Sequence, residues 1–88
     1  MEHILTNATV IDVRSASEYE QAHYPGAVNI PLKEIAHRLN EINEMKQPIV
    51  MYCLSGGRSA VAVSIVKQTG INEVYNGGSI HDLLRYKQ

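Results

Sequence analysis

The chain has 88 residues, of which 44% are hydrophobic, and a formal net charge of −1 at pH 7. A chain of this length buries roughly 60–65% of its unfolded surface, so we expect one domain over residues 1–88. The near-neutral charge, without a long run of either sign, argues against nucleic acid and acidic membrane surfaces as partners. A single cysteine excludes an internal disulfide and a dithiol redox cycle within the chain.

Residues 1–7 carry neither a basic stretch nor a long apolar one, and no segment is long enough to span a bilayer. We therefore expect a cytoplasmic protein without membrane insertion. The alternative is a periplasmic location, if an export signal has been removed.

Predicted strands and helices alternate along the chain. We expect strands at residues 9–13, 27–30, 49–52 and 73–76. We expect one helix after a capping box of Ser15 and Glu18, and one with an apolar stripe from Leu32 to Ile42 that ends near Met45. Two more are expected over residues 59–69 and 79–87. This order predicts a parallel sheet covered by helices, with right-handed crossovers. The stripe is expected to pack on the core; a partner groove is the alternative reading.

The only cysteine, Cys53, opens a short loop between an apolar strand and a predicted helix. Gly56 and Gly57 let the backbone curl so that successive N–H groups point inward and form a nest for anions. The helix start adds unpaired N–H groups and partial positive charge, which favour a thiolate over a thiol. Four residues lie between Cys53 and Arg58, a permanent cation, so the ring fits a sulfur and one atom bonded to it. We therefore expect Cys53 to be a reactive sulfur, as a thiolate or a persulfide, rather than a small buried hydrophobic side chain.

Two segments carry a resemblance to a known family. The first is residues 10–14, with Glu18-Tyr19 and residues 23–31; the second is residues 52–59, with Gly77-Gly78 downstream. Together with their spacing they cover nearly the whole chain. The chain resembles a single-domain rhodanese, a sulfurtransferase, in the style of the short phage-shock-type members of bacteria.

The resemblance implies an α/β fold with a central five-stranded parallel sheet and helices on both faces. It also implies that the Cys53 thiolate attacks the outer sulfur of a donor such as thiosulfate, that sulfite leaves, and that a persulfide remains. Cyanide in the assay, a thiol or a partner protein then accepts the sulfur, with no metal or organic cofactor. The implied substrate-binding residues are those of the loop: Leu54, Ser55, Gly56, Gly57, Arg58 and Ser59.

The chain departs from this family in three places. Members that use thiosulfate well often carry a cation directly after the cysteine, whereas Leu54 and Ser55 stand here. We therefore expect modest activity on thiosulfate and a persulfide or polysulfide as donor. The aromatic residues that often follow the double glycine are missing, and so is the usual helix before the first strand.

Asp12 and Arg14 are expected to support the site. Asp12 ends a predicted strand at the same sheet edge as Cys53, and we favour a structural acceptor for loop N–H groups over a functional group near the pocket. Arg14 either lines the pocket mouth or pairs with Glu18. The four histidines lack metal-ligand spacing with Cys53, so no metal site is expected. Ser55 is expected to be a loop hydroxyl rather than a nucleophile.

The length of the cysteine loop argues against two other kinds of cysteine chemistry. Cysteine-dependent phosphatases and arsenate reductases use a similar loop but need five residues before the arginine, because phosphate is larger than sulfur. The glycine loop also lacks the lysine and the spacing of a P-loop. A non-catalytic rhodanese-fold module for binding or regulation is favoured by the uncharged Leu54-Ser55 pair and disfavoured by the intact Cys53.

Overall fold

The fold is known here from a computed structural model, which describes residues 1–86. The strands are β1 (Thr9–Asp12), β2 (Val28–Asn29), β3 (Ile49–Cys53) and β4 (Val74–Ser79). The helices are α1 (Glu2–Leu5), α2 (Ala16–Gln21), α3 (Leu32–Ile35), α4 (Leu39–Asn43), α5 (Gly57–Lys67) and α6 (Ile80–Leu84). All strand pairs are parallel, in the order β2-β1-β3-β4. The predicted α/β class is confirmed, but within residues 1–86 the sheet has four strands rather than five.

The sheet separates two apolar layers, because successive side chains of a strand point to opposite faces. Ile11, Met51 and Cys53 lie on one face and pack with residues of α3, α4 and α5. Val50 and Tyr52 lie on the other face and pack with residues of α1, α2 and α6. Helices therefore cover both faces, and Cys53 belongs to the α5 side.

The segment from Leu32 to Met45 was expected to form one amphipathic helix, and that expectation is wrong. The structure has two short helices, α3 and α4, separated by a break at Arg38 (φ −121°, ψ 25°). At the break the Arg38 amide donates to the Ile35 carbonyl, three residues back instead of four. Ile35 and Ile42 are both fully buried in the same core, so the spacing correctly indicated burial. Periodicity alone cannot show whether the backbone ladder is continuous.

The structure confirms some of the predicted helix ends and differs at others. The Ser15 hydroxyl accepts the Glu18 amide at 3.2 Å and the Glu18 carboxylate accepts the Ser15 amide at 3.0 Å, so the predicted capping box of α2 is confirmed. α1 forms one turn where no helix was expected. α6 ends at Leu84; the predicted end at Lys87 lies outside the described residues.

Strand β4 runs further than the predicted residues 73–76 and passes through both glycines. The pairing with β3 skips Gly77, because Tyr52 lies opposite Gly78. A Cβ atom at Gly77 would lie 2.8 Å from Val50 Cγ1, so only glycine fits this position without displacing that side chain. The shift brings the end of β4 beside Cys53 and thus helps to build the site.

Candidate active site around Cys53

The Cys53 side chain is fully buried at the carboxyl end of β3. Its sulfur accepts a hydrogen bond from the Gly56 amide at 2.9 Å and a longer one from the Ser59 amide at 3.4 Å. The Ser59 hydroxyl oxygen lies 3.5 Å from the same sulfur. Gly56 permits this curl because its φ is +98°, in the left-handed region that glycine tolerates. The amide of Gly56, the N-cap of α5, and the amide of Ser59, its third residue, therefore point toward the sulfur.

Two opposing effects set the pKa of the Cys53 thiol. Burial raises the pKa, because it disfavours the charged thiolate. The Ser59 hydroxyl lowers the pKa when its proton points to the sulfur, and the amides of Ser59, Ser55 and Gly56 lower it as well. The net result is a pKa below the ordinary value of the thiol, which increases the fraction of thiolate at neutral pH.

The Arg58 guanidinium binds a carboxylate of this chain. It donates to the two carboxylate oxygens of Glu18 at 2.8 and 3.1 Å, which ties the start of α5 to α2. The pair raises the pKa of Arg58 and lowers the pKa of Glu18 to about 2, first through the Arg58 hydrogen bonds and then through the Ser15 amide. Glu18 was expected as a helix cap or as a partner of Arg14, so its ion pair with Arg58 was not predicted.

The Glu18–Arg58 pair predicts a pH-dependent stability. The pKa of Glu18 is lower in the folded chain than the ordinary value of 4.5, so its stabilisation is complete above that pH and is lost as the pH falls toward 2. We expect Glu18→Gln, which keeps the capping oxygen, to unfold at lower urea concentration than the parent between pH 5 and 8. The difference in midpoint should shrink steadily below pH 4.5. A difference that stays constant down to pH 2.5 contradicts the pairing.

Asp12 and Cys53 share one edge of the sheet but point to opposite faces. The Asp12 carboxylate is fully buried and accepts hydrogen bonds from the Arg14 amide and guanidinium and from the Tyr52 hydroxyl. These are the contacts of a structural acceptor rather than of a group facing the sulfur. Burial, together with the Asp12 contact, raises the pKa of Tyr52 to about 12, so its hydroxyl stays a donor.

Arg14 does not pair with Glu18, so that alternative is wrong. Its side chain is buried, binds Asp12 at 2.8 Å and also donates to the Ala22 carbonyl at 2.7 Å. It therefore holds the end of β1 to the end of α2, on the face away from Cys53. The alternation of side chains along an extended chain explains this, because residues 12 and 14 point to the same face of the sheet.

A groove of about 490 Å³ opens beside the cysteine loop. Its mainly apolar walls are formed by Val13, Ser15, Ala16, Pro31, Leu32, Lys33, Glu34 and Arg58. Val13 lies on the same face of the sheet as Cys53, and its amide donates to the Tyr52 carbonyl. The groove therefore adjoins the site, and its size is within the range of pockets for small organic ligands.

The remaining loop residues differ in exposure. Leu54 is 48% exposed and Ser55 is exposed, while Ser59 is fully buried. Within residues 1–86, no group of three or more His, Cys, Asp or Glu side chains is arranged to hold a metal ion. No helix of that part of the chain has the length and apolar character needed to cross a membrane.

The parallel sheet with a cysteine loop at its carboxyl edge defines the class of fold, and comparison identifies the family. The family model of the rhodanese-like domain matches residues 2–79. The chain therefore belongs to the rhodanese-like domain family.

Individual relatives agree with this assignment. The chain is 46% identical over 67 residues to the putative sulfur carrier protein YrkF of Bacillus subtilis, covering 76% of this chain and 36% of that protein. It is 36% identical over 74 residues to the thiosulfate sulfurtransferase PspE of Escherichia coli, covering 83% and 71%. The chain thus spans only about a third of YrkF, and it spans 54% of the Bacillus subtilis protein YqhL. A solved rhodanese with anions from Escherichia coli superposes with a TM-score of 0.77 at 36% identity, covering 85% and 89% of the two chains.

Proposed function

We propose that this chain is a sulfurtransferase that carries sulfane sulfur on Cys53. The observation that carries the proposal is the ring of donors around the buried sulfur, with the Gly56 amide at 2.9 Å. These donors stabilise negative charge on a sulfur atom, which both the thiolate and the persulfide bear. The names of two relatives, a thiosulfate sulfurtransferase and a putative sulfur carrier, support the same chemistry.

The reaction has two displacements that balance in atoms and electrons. The Cys53 thiolate attacks the outer sulfur of the donor and the donor's S–S bond breaks. The leaving group, sulfite or a thiolate, departs with the electron pair and leaves a Cys53 persulfide. A thiol or cyanide then attacks the outer sulfur of the persulfide, and the Cys53 thiolate returns. The residues that we assign to substrate binding are Leu54, Ser55, Gly56, Gly57, Arg58 and Ser59.

An organic persulfide or polysulfide suits the surroundings of Cys53 better than thiosulfate does. Glu18 already neutralises Arg58, so a thiosulfate dianion would depend on backbone amides. The exposed Leu54 and the apolar groove beside the loop instead favour a donor with a carbon skeleton.

A substitution that fills the groove should slow loading by an organic persulfide more than loading by thiosulfate. Ala16 is exposed and lines the groove, so we expect Ala16→Phe to lower kcat/KM for glutathione persulfide by about tenfold, or about 1.4 kcal/mol. Loading by thiosulfate should change less than about twofold, because an ion of five heavy atoms does not need this volume. Ala36→Phe, an exposed alanine outside the groove, is the matched control. Equal losses with both donors would contradict a role for the groove.

Intact mass spectrometry tests the proposal itself. After incubation with thiosulfate or glutathione persulfide, the protein should gain the mass of one sulfur atom, and cyanide should remove it. If neither donor adds sulfur while iodoacetamide still alkylates Cys53, the chain is not a sulfurtransferase. The rhodanese fold then serves as a binding or regulatory module, which the neutralised Arg58 and the exposed Leu54 favour.

A further inference from the structure

The Asn76 side chain links β4 to the cysteine loop. Its Nδ2 donates to the Gly56 carbonyl at 3.1 Å, and its Oδ1 accepts the Gly78 amide at 2.9 Å. The Ser59 hydroxyl lies only 2.6 Å from the same Oδ1. Ser59 therefore stands between Asn76 and the sulfur of Cys53.

The neighbours of Asn76 fix which end of its amide faces Ser59. Gly78 offers an N–H, which needs the amide oxygen, and Gly56 offers a carbonyl, which needs the amide nitrogen. The amide oxygen has no proton of its own. An oxygen–oxygen distance of 2.6 Å to Ser59 therefore requires the Ser59 proton to lie between the two atoms.

A hydroxyl has one proton, and three acceptors compete for that of Ser59. They are Asn76 Oδ1 at 2.6 Å, the Gly56 carbonyl at 3.1 Å and Cys53 Sγ at 3.5 Å. With a neutral thiol every group is satisfied, because the S–H donates to the Ser59 oxygen and Ser59 donates to Asn76. When the sulfur ionises, Ser59 can stabilise the thiolate only by turning its proton away from Asn76.

We propose that Asn76 is a positioning residue that holds the Ser59 proton away from Cys53 and so limits the stabilisation of the thiolate. This inference rests on the proposed function, in which that thiolate is the nucleophile. The nucleophilicity of a thiolate falls as its pKa falls, and the best attacking thiol has a pKa near the ambient pH. Asn76 thereby opposes the loop amides and keeps the sulfur from becoming a weak nucleophile.

The charged groups around the sulfur are the same with or without Asn76. Arg58 of α5 is held by Glu18 of α2, and the Asp12–Arg14 pair lies across the sheet. On α6, the Asp82 carboxylate lies near Gly78 and pairs with Arg85. His81 of α6 is exposed, and β4 contributes no charged side chain. A difference between the pKa of Cys53 in the parent and in an Asn76 variant therefore does not come from a change in the surrounding charges.

The test is a double-mutant cycle on the pKa of Cys53, followed by thiolate absorbance and by the pH dependence of iodoacetamide alkylation. Asn76→Ala should lower the pKa by about half a unit to one unit, because the freed Ser59 proton turns to the sulfur. Ser59→Ala should raise the pKa less in the parent than in the Asn76→Ala background, because in the parent Asn76 already holds the Ser59 proton. In the Ser59→Ala background, Asn76→Ala should produce no further shift.

A purely structural role of Asn76 gives a different result. If the residue only braces the loop, Asn76→Ala raises the pKa, or leaves it unchanged, with and without Ser59, and the proposal is overturned. The readout is the titration of a thiol and needs no sulfur transfer. Failure of the proposed enzymatic function therefore leaves this cycle interpretable.

A second measurement does not need an Asn76 variant to fold. Cys53 is the only cysteine, so the infrared S–H stretching band of the protein reports on this thiol alone. Below its pKa, the parent should show the lower frequency of a thiol that donates a hydrogen bond, and Ser59→Ala should show the higher frequency of a free thiol. Identical bands would show that the thiol does not donate to Ser59, and would overturn the arrangement.

Discussion

Cys53→Ser is expected to abolish sulfur transfer while the fold persists. The serine hydroxyl titrates far above neutral pH and forms no persulfide, so the loss should be on the order of a thousandfold or more, equivalent to about 4 kcal/mol in the barrier. The fold should tolerate the change, because the smaller hydroxyl can still accept the Gly56 amide. Transfer from glutathione persulfide to cyanide measures the activity, and thermal unfolding measures the fold.

Val61→Ser is the matched control for this variant. Val61 lies on α5 and is 51% exposed, so the change introduces the same side chain outside the buried sulfur site. It should retain nearly full activity. A Cys53→Ser protein that kept a tenth or more of the parent rate would show that the sulfur does not travel through this residue.

Asp12→Asn is expected to lower the free energy of unfolding by about 3 to 5 kcal/mol. The change leaves the buried Arg14 guanidinium without a counter-charge. It also replaces the carboxylate that accepts the Tyr52 hydroxyl with an amide, whose nitrogen is a donor. A chain of this size has a total stability of roughly 4 to 13 kcal/mol, so the loss is a large fraction of the whole. Urea unfolding followed by circular dichroism measures it.

Two further variants test whether the loss of stability comes from breaking the buried Asp12–Arg14 pair or from removing a negative charge in general. Asp12→Asn combined with Arg14→Met should cost less than the sum of the single changes, because the second removes the charge that the first leaves unpaired. Glu41→Gln breaks an exposed ion pair with Arg38, which solvent screens, and should shift the midpoint far less. Additive losses in the double variant would contradict a buried Asp12–Arg14 pair.

The sequence predicted best the features that depend on neighbours in the chain. The capping box joins Ser15 to Glu18, three positions apart, and the amides that turn toward Cys53 lie within six positions of it. The alternation of strands and helices predicted that Cys53 and Asp12 would share one sheet edge. All three follow from local spacing and from the rules of parallel sheets.

The features that the sequence did not predict join residues far apart. Arg58 finds Glu18 forty positions away, and Ser59 finds Asn76 seventeen positions away. Neither contact leaves a periodic signal in the chain. A polar Asn76 directly before a double glycine, at the end of a predicted strand, was the single sign of the second contact. The alternation of side chains likewise did not predict that β4 continues past Gly77, because the irregular pairing there depends on β3.

The position of β4 in the chain has a consequence for when the sulfur becomes reactive. A growing polypeptide presents Cys53 and the start of α5 before Asn76 has been made, whereas a domain generally folds as a unit. Until β4 pairs with β3, nothing holds the Gly56 carbonyl or the Ser59 hydroxyl from that side. The acidity of the Cys53 thiol therefore depends on the pairing of β4 with β3 as well as on its own loop, so titration of this single thiol reports whether the whole domain is complete.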